Sequence, residues 1–224
     1  MNAPVVETRA SAACSLVESR LQPASRVFGL DRGTPIDRYY IERFLQRNSG
    51  DIHGRVLEVG DSTYVRRFGA NVTKTDVLHA TAGNRKASIV GDLATGAGVS
   101  SGAFDCLILT QTLCCIFDIR SAVSNIHRCL AGGGVVLATV PGISQISRYD
   151  MDRWGDFWRF TSLSARRLFE ESFLSSHVRV EAHGNVMAAT AFLQGRALEE
   201  MNPAELDYTD ADYELLITIR AQKT

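Results

Sequence analysis

Acidic side chains follow three short apolar runs of the sequence at a regular interval. Glu58 and Gly60 close the run VLEVG, Asp76 follows the next run, and Asp92 follows the third. The interval is 16 residues from Gly60 to Asp76 and 16 again from Asp76 to Asp92. In an open parallel sheet, ligands bind beyond the carboxyl ends of the strands, so we expect these acids to line one crevice.

The glycine loop after the first run indicates which adenosine cofactor this crevice would fit. A carboxylate at the end of the second strand, Asp76, can accept both hydroxyl protons of a ribose, which is common to dinucleotide and S-adenosylmethionine (SAM) sites. Dinucleotide sites need GxGxxG to seat a pyrophosphate, but the loop here reads GDSTYV, with Ser62 in place of the second glycine. SAM has no phosphate, and its cationic groups suit a single glycine flanked by Glu58 and Asp61.

Further cofactor contacts are expected at the ends of the third and fourth runs. Asp92 can accept from the exocyclic amine of adenine while Leu93 packs beside the ring. For Glu58 two alternatives stay open, the amino group of SAM and a neighbouring backbone amide. The predicted cofactor-binding residues are Glu58, Gly60, Asp61, Ser62, Asp76, Val77, Asp92, Leu93, Thr110 and Gln111.

Together these stretches resemble the class I SAM-dependent methyltransferases, in particular the group known as methyltransferase type 11. The matching stretches are VLEVG (56–60), TDV (75–77), GDL (91–93), FDCLILTQTL (104–113) and HRCLAGGGVVLATVPG (127–142), within residues 34–182. The resemblance implies SAM as cofactor and in-line transfer of its methyl group to a small molecule, as O- or N-methylation of a sugar or a natural-product-like compound. The first loop departs from the family because it lacks the usual later glycines.

An aromatic segment, residues 147–161, follows the fifth predicted strand and holds both tryptophans among charged residues. It predicts either a lid over the methyl acceptor or a hydrophobic plug over the end of the sheet. On the lid hypothesis, Trp154 aligns the acceptor and does not contact the cofactor. Residues expected at the acceptor are Cys114, Cys115, Tyr149, Trp154, Trp158 and Arg159. A hydroxyl acceptor would need a base, for which the candidates are Tyr149, Asp150 and Asp152, whereas an amine or thiol could lose its proton beforehand.

Alternating strands and helices must position these residues. The fold class expected is α/β, a doubly wound, mostly parallel seven-stranded sheet of the Rossmann-like class I methyltransferase type, with the last strand antiparallel. Strands are predicted at 55–59, 71–75, 88–90, 104–109, 135–139, 178–181 and 213–220. The crossover 61–70 leaves room for only one or two helical turns.

Four longer helices are predicted from apolar periodicity and capping residues. The first has Thr34 as N-cap, Pro35 at its first position and Asp37 three residues after the cap. The second has Asp118 as cap and Gly132 as stop. The others cover about 163–173 and 186–201, the latter between the sixth and seventh strands.

The composition narrows the class of protein. The chain has 224 residues, 45% of them apolar, which favours one core, and we expect an N-terminal arm (1–33) followed by one methyltransferase domain (34–224). The 24 basic and 25 acidic residues nearly cancel, which disfavours nucleic acid as a partner. The five cysteines lack zinc-site spacing and no apolar stretch predicts a membrane span, so we expect no metal, no membrane and a cytoplasmic location.

Two alternative functions and the oligomeric state stay open from sequence. The eroded GDS loop would suit a degenerate module that binds SAM without catalysis, and a nucleotide-dependent oxidoreductase is disfavoured by the missing glycine fingerprint. The oligomeric state is undecided, with a homodimer as one alternative.

Overall fold

The central sheet of the protein has seven strands in a computed structural model that describes residues 21–224. Most of the predicted arm, including Cys14, lies outside the described residues. The strands are β1 (Gly54–Val59), β2 (Val72–His79), β3 (Ile89–Val90), β4 (Phe104–Thr110), β5 (Leu130–Pro141), β6 (Val178–His183) and β7 (Leu216–Gln222). Their order is β3-β2-β1-β4-β5-β7-β6, with β7 antiparallel to both neighbours and the other pairs parallel. The predicted fold class is confirmed.

Helices cover both faces of this sheet. They are α1 (Ile36–Arg47), α2 (Thr63–Phe68), α3 (Ile119–Cys129), α4 (Arg148–Met151), α5 (Ser162–Glu170), α6 (Val186–Leu193) and α7 (Pro203–Asp207). On one face Ile126 of α3 and Phe169 of α5 pack on the sheet, and on the other face Ile41 of α1 and Phe192 of α6 do so. The two layers explain why the central strands are apolar on both sides.

The end of β2 differs from the sequence prediction. The predicted strand stops at residue 75, whereas β2 continues to His79 and pairs Leu57 with Asp76 and Val59 with Leu78. The sequence analysis placed Asp76 just after the end of this strand, but it lies within β2 and its side chain is buried. The ion pair with Arg55 compensates the charge of the buried carboxylate. The residue at the carboxyl end of β2 is His79.

The helix boundaries also need correction. Helix α1 begins after Pro35, with no side-chain cap, because the Thr34 hydroxyl donates instead to Glu199 Oε1 (2.7 Å). The helix predicted for 186–201 ends at Leu193, because Gly195 adopts a left-handed conformation (φ +69°) there. The Asp118 cap of α3 is as predicted and accepts from the Ser121 amide.

The last turn of α3 and the strand after it are also displaced from their predicted bounds. The helix ends at Cys129 and not at Gly132, and β5 begins at Leu130. The three consecutive glycines 132–134 therefore lie within β5, where the sequence pattern had indicated a turn, and Gly133 has a left-handed conformation (φ +80°) there. Helix α2 has six residues, as the short crossover predicts.

Candidate functional site

The loop between β1 and α2 leaves open space at its glycine. Gly60 has φ +87°, and no atom lies within 4 Å of the place where its Cβ would be. Its amide donates to Leu78 O (3.0 Å), and its carbonyl accepts from the Asn84 side chain (2.6 Å). Asp61 accepts from the Thr63 amide (2.9 Å) and lies 3.5 Å from Lys86 Nζ. A loop with this free space can seat a ligand against its backbone.

Glu58 connects the end of β1 to the start of α2 through hydrogen bonds. Its carboxylate accepts from the amides of Tyr64 (3.1 Å) and Val65 (2.9 Å) in the first turn of α2. Of the two alternatives predicted for Glu58, the structure has the backbone amide. Burial raises the pKa of Glu58 to about 7, while the two amide donors oppose the shift.

Asp76 does not reach the crevice in this structure. Its carboxylate accepts from Arg55 Nε (2.8 Å) and from the Ser88 hydroxyl (3.0 Å), and Lys74 Nζ lies 3.5 Å away. Burial is the largest single influence on its pKa and raises it, but hydrogen bonds and charges together lower the pKa below the usual value. The expected strand-end position of Asp76 is thus wrong, and its predicted ribose contact stays a prediction. Val77, predicted beside it, is buried in the sheet.

The residues predicted after β3 and β4 lie at strand ends, as expected. Asp92 is exposed in a tight turn, where it accepts from the Ala94 amide (2.8 Å), and Leu93 is buried beside it. Thr110 is the last residue of β4, and Gln111 follows with φ +51°. Their binding roles, like that of Ser62, stay predictions.

His79 carries an aromatic contact from the segment 147–161. The rings of His79 and Trp154 meet edge to face with centroids 5.1 Å apart. Since β2 lies beside β1, this contact is on the Gly60 side of the sheet end. The sequence analysis predicted Trp154 at the acceptor, and that role stays a prediction.

A cavity of ≈ 340 Å³ lies beyond the ends of β4 and β5. Gln111 and Cys114 form its inner wall. Apolar side chains from the N-terminal segment, α6 and β7 form much of the remainder: Val27, Phe28, Leu30, Phe192, Leu215 and Leu216. The volume is at the lower end of the range for small-molecule sites.

Asp37 is a wall residue of this cavity that the sequence analysis had not assigned to a site. It is 8% exposed, and its Oδ1 is buried without a hydrogen-bond partner. Burial raises the pKa of Asp37, and the neighbouring Arg38 charge opposes the shift. The sequence interpretation gave Asp37 to helix capping. Its position in a cavity depends on segments far away in the chain, so no local signal identifies it.

The residues predicted at the acceptor divide into two groups. Those that line the cavity are Cys114, Tyr149, Asp150 and Arg159, and those that do not are Cys115, Asp152, Trp154 and Trp158. Asp152 is exposed, and the thiol of Cys114 donates to Gln111 O. The contact with the Cys115 thiol, followed by burial, raises the pKa of the Cys114 thiol, which makes it a poor nucleophile.

The segment 147–161 combines a fixed and a more open part. Trp158 is half-buried against the core and donates to Ile116 O (3.0 Å), as a plug would. Asp156 holds Arg159 through two short contacts (2.6 and 2.8 Å) and accepts from the Ser147 amide. Trp154, at 37% exposed, rests on His79 alone among the ring contacts that the structure describes. The plug hypothesis fits Trp158, and the exposed Trp154 is not part of that plug.

The order of the sheet, the glycine loop after β1 and the cavity at the end of β4 define a class I methyltransferase. The chain belongs to the methyltransferase domain family, whose model matches residues 35–194. The protein is therefore a SAM-dependent methyltransferase. No curated protein matches the chain.

Solved structures share this fold at low sequence identity. A SAM-dependent methyltransferase from Archaeoglobus fulgidus has a TM-score of 0.53 at 10% identity and covers 83% of this chain and 94% of its own. The N-methyltransferase NodS from Bradyrhizobium japonicum WM9, in complex with S-adenosyl-L-homocysteine (SAH), has a TM-score of 0.52 at 14% identity, covering 93% and 97%. The [4+2]-cyclase SpnF has a TM-score of 0.52 at 17% identity, covering 98% and 97%. At these sequence identities, the similarity is one of fold alone.

Within residues 21–224, no helix is both long and apolar enough to cross a membrane. No group of three or more metal-binding side chains occurs in the same part of the chain.

Proposed function

We propose that this methyltransferase acts on a small molecule that enters the cavity beyond β4 and β5. The observation that carries the proposal is the position of that cavity: its inner wall is Gln111, which follows the strand next to the Gly60 loop. A methyl donor seated on the loop and an acceptor in the cavity would be neighbours. The small volume disfavours a macromolecular acceptor.

The residues at the strand ends fit SAM, with the exception of Asp76. Gly60 and Asp61 would hold the aminoacyl part, since the loop has free space and an acidic side chain, and Asp92 with Leu93 would hold the adenine. His79, at the true end of β2, takes the position that was expected for Asp76. SAM supplies a methyl group on a sulfonium, which is already an activated leaving group. The chain therefore contributes alignment and exclusion of water more than acid chemistry.

Calorimetric titration with SAM, SAH and NAD tests this proposal at the cofactor. We expect micromolar affinity for SAM and SAH and none for NAD, because no loop seats a pyrophosphate. Gly60→Val should abolish SAM binding, since the φ of +87° disfavours a β-branched residue and its side chain would fill the open space. Gly132→Val, in an open position of β5, is the matched control. NAD binding without SAM binding would contradict the proposal.

We also propose, as the sequence analysis does, one methyltransferase domain that begins at residue 34 and a cytoplasmic location. The thiols of Cys106, Cys114, Cys115 and Cys129 are all free, which supports a reducing compartment.

A further inference from the structure

Asp37 is the buried charge of the acceptor cavity that has the fewest partners. Its Oδ1 is closed to solvent and without a donor, and the side chain lies in the first turn of α1 among apolar walls. A buried polar atom without a partner carries a desolvation cost that a bound ligand could offset. This position therefore points to a ligand that brings its own hydrogen-bond donor.

The other charged residues of the wall are engaged or distant. Arg159 is held by both oxygens of Asp156, and Arg38 donates to the Tyr64 hydroxyl (3.2 Å). Asp150 accepts from the Ser147 hydroxyl (2.5 Å).

The two remaining arginines of the wall, Arg26 and Arg148, are exposed at the rim. Solvent and salt screen their charges from the interior. Within the described part of the chain, Asp37 is thus the cavity carboxylate that has no side-chain partner.

We propose that Asp37 binds and deprotonates the amino group of an amine acceptor, which makes this protein an N-methyltransferase. This inference rests on the proposed function. An ammonium satisfies Asp37 better than a hydroxyl does, because it supplies both a donor and the opposite charge. The ring of Phe28, in the same wall, adds a surface that attracts a cation.

The proton transfer balances as follows. The ammonium gives one proton to the Asp37 carboxylate, and the free amine nitrogen then forms a bond to the methyl carbon while the sulfur–methyl bond breaks. The sulfur keeps the electron pair of that bond, and the methylated amine carries the positive charge. Burial, which raises the pKa of Asp37, makes it a better proton acceptor than an exposed aspartate.

The test measures binding of two probes to the SAH-saturated protein. Benzylamine carries an ammonium, and benzyl alcohol is a neutral molecule of similar shape. For the wild-type protein we expect benzylamine to bind at least tenfold more tightly than the alcohol, as followed by chemical shifts or calorimetry. Asp37→Asn should remove this preference, because the amide keeps the shape and loses the charge. Glu42→Gln, which removes a charge from the same helix outside the cavity, should keep it.

Several outcomes would overturn the inference. These are equal binding of the two probes to the wild type, the absence of benzylamine binding up to about 50 mM, and unchanged benzylamine binding in Asp37→Asn. A loss of SAH affinity in Asp37→Asn would assign Asp37 to the cofactor and also overturn it. If the wild-type protein does not bind SAH, the proposed function fails at an earlier step, which this experiment records separately. Asp37→Leu, which replaces the carboxylate with an apolar side chain, is a second variant without the charge. Its melting curve measures whether the protein still folds when the carboxylate is absent.

Discussion

At the residue scale, the two buried acids near the glycine loop have different partners and therefore different roles. Asp76 is bound by a cation, whereas Glu58 is bound by backbone amides at the start of a helix. The first arrangement stabilises the sheet, and the second shapes the loop. Both acids follow the same pattern in sequence, and only their partners distinguish them.

Asp76→Asn should lower stability and leave cofactor affinity nearly unchanged. The change leaves Arg55 without its counter-charge, which we expect to cost about 1–2 kcal/mol because Arg55 is partly exposed. Urea unfolding together with SAH titration measures both effects. Asp61→Asn is the contrasting variant and should weaken SAH binding with little loss of stability. If Asp76→Asn is stable but binds SAH weakly, the result would support the predicted contact between Asp76 and the ribose.

Glu58 should give the protein a stability that depends on pH. Its folded pKa of about 7 lies above the ordinary value of 4.5, so its contribution is complete below pH 4.5 and is lost as pH rises through 7. Relative to Glu58→Gln, the wild-type protein should therefore lose roughly 1–3 kcal/mol between about pH 5 and pH 8. Urea unfolding of both proteins across this range tests the sign. An unchanged difference would mean that Glu58 is ionised throughout.

At the element scale, the segment between β5 and α5 has its two tryptophans on different supports. Trp158 packs on the core with a bonded indole, and Trp154 packs on a histidine at the end of β2. The two rings therefore differ in what their removal would cost.

Trp154→Ala should weaken SAH binding several-fold and change the melting temperature little. The ring is partly exposed and contacts His79 at the end of β2, the strand beside the Gly60 strand, so its loss would uncover this edge of the sheet without opening the core. Trp158→Ala should instead cost about 3 kcal/mol, as expected for a half-buried indole with a hydrogen bond. Paired melting curves and SAH titrations measure both. Normal SAH affinity in Trp154→Ala would return that tryptophan to the acceptor, as the sequence had suggested.

Much of the architecture could be predicted from sequence because it depends on local patterns. Apolar runs predict the strands, and the Asp118 cap predicts the start of α3. The end of β2 could not be predicted in this way, since the partner of Asp76 lies 21 residues away. The candidate role of Asp37 was missed for the same reason, because the walls around it come from the N-terminal segment, the sheet ends and α6.

At the scale of the whole molecule, the segment before α1 is fastened across the cavity. The amide of Ala24 donates to Gln194 O (2.8 Å), and the side chain of Gln145 donates to Arg26 O (2.8 Å). Gly195 allows the close approach, since a Cβ there would lie 2.3 Å from Ser25 O.

Gly195→Ala should displace this segment and open the cavity. The added methyl group meets backbone in a left-handed conformation, for which we expect a loss of about 1–3 kcal/mol. Benzylamine binding should fall with the loss of the wall at Phe28, while SAH binding at the strand ends persists. Gly132→Ala, which meets no atom within 4 Å, is the control for both measurements. Intact benzylamine binding would show that the segment is not part of the acceptor wall.

The segment 147–161 touches both halves of the site at once, and this fixes the sequence of events in a catalytic cycle. Trp154 rests on His79, while Tyr149 and Asp150, a few residues earlier, form part of the acceptor wall. Donor entry past the contact between Trp154 and His79 would lift the segment from His79 and so open the acceptor wall. We therefore expect compulsory-order kinetics, with the donor first to arrive and its demethylated product last to leave. Product inhibition by SAH should be competitive with SAM and noncompetitive with the acceptor, whereas a random mechanism would make it competitive with both.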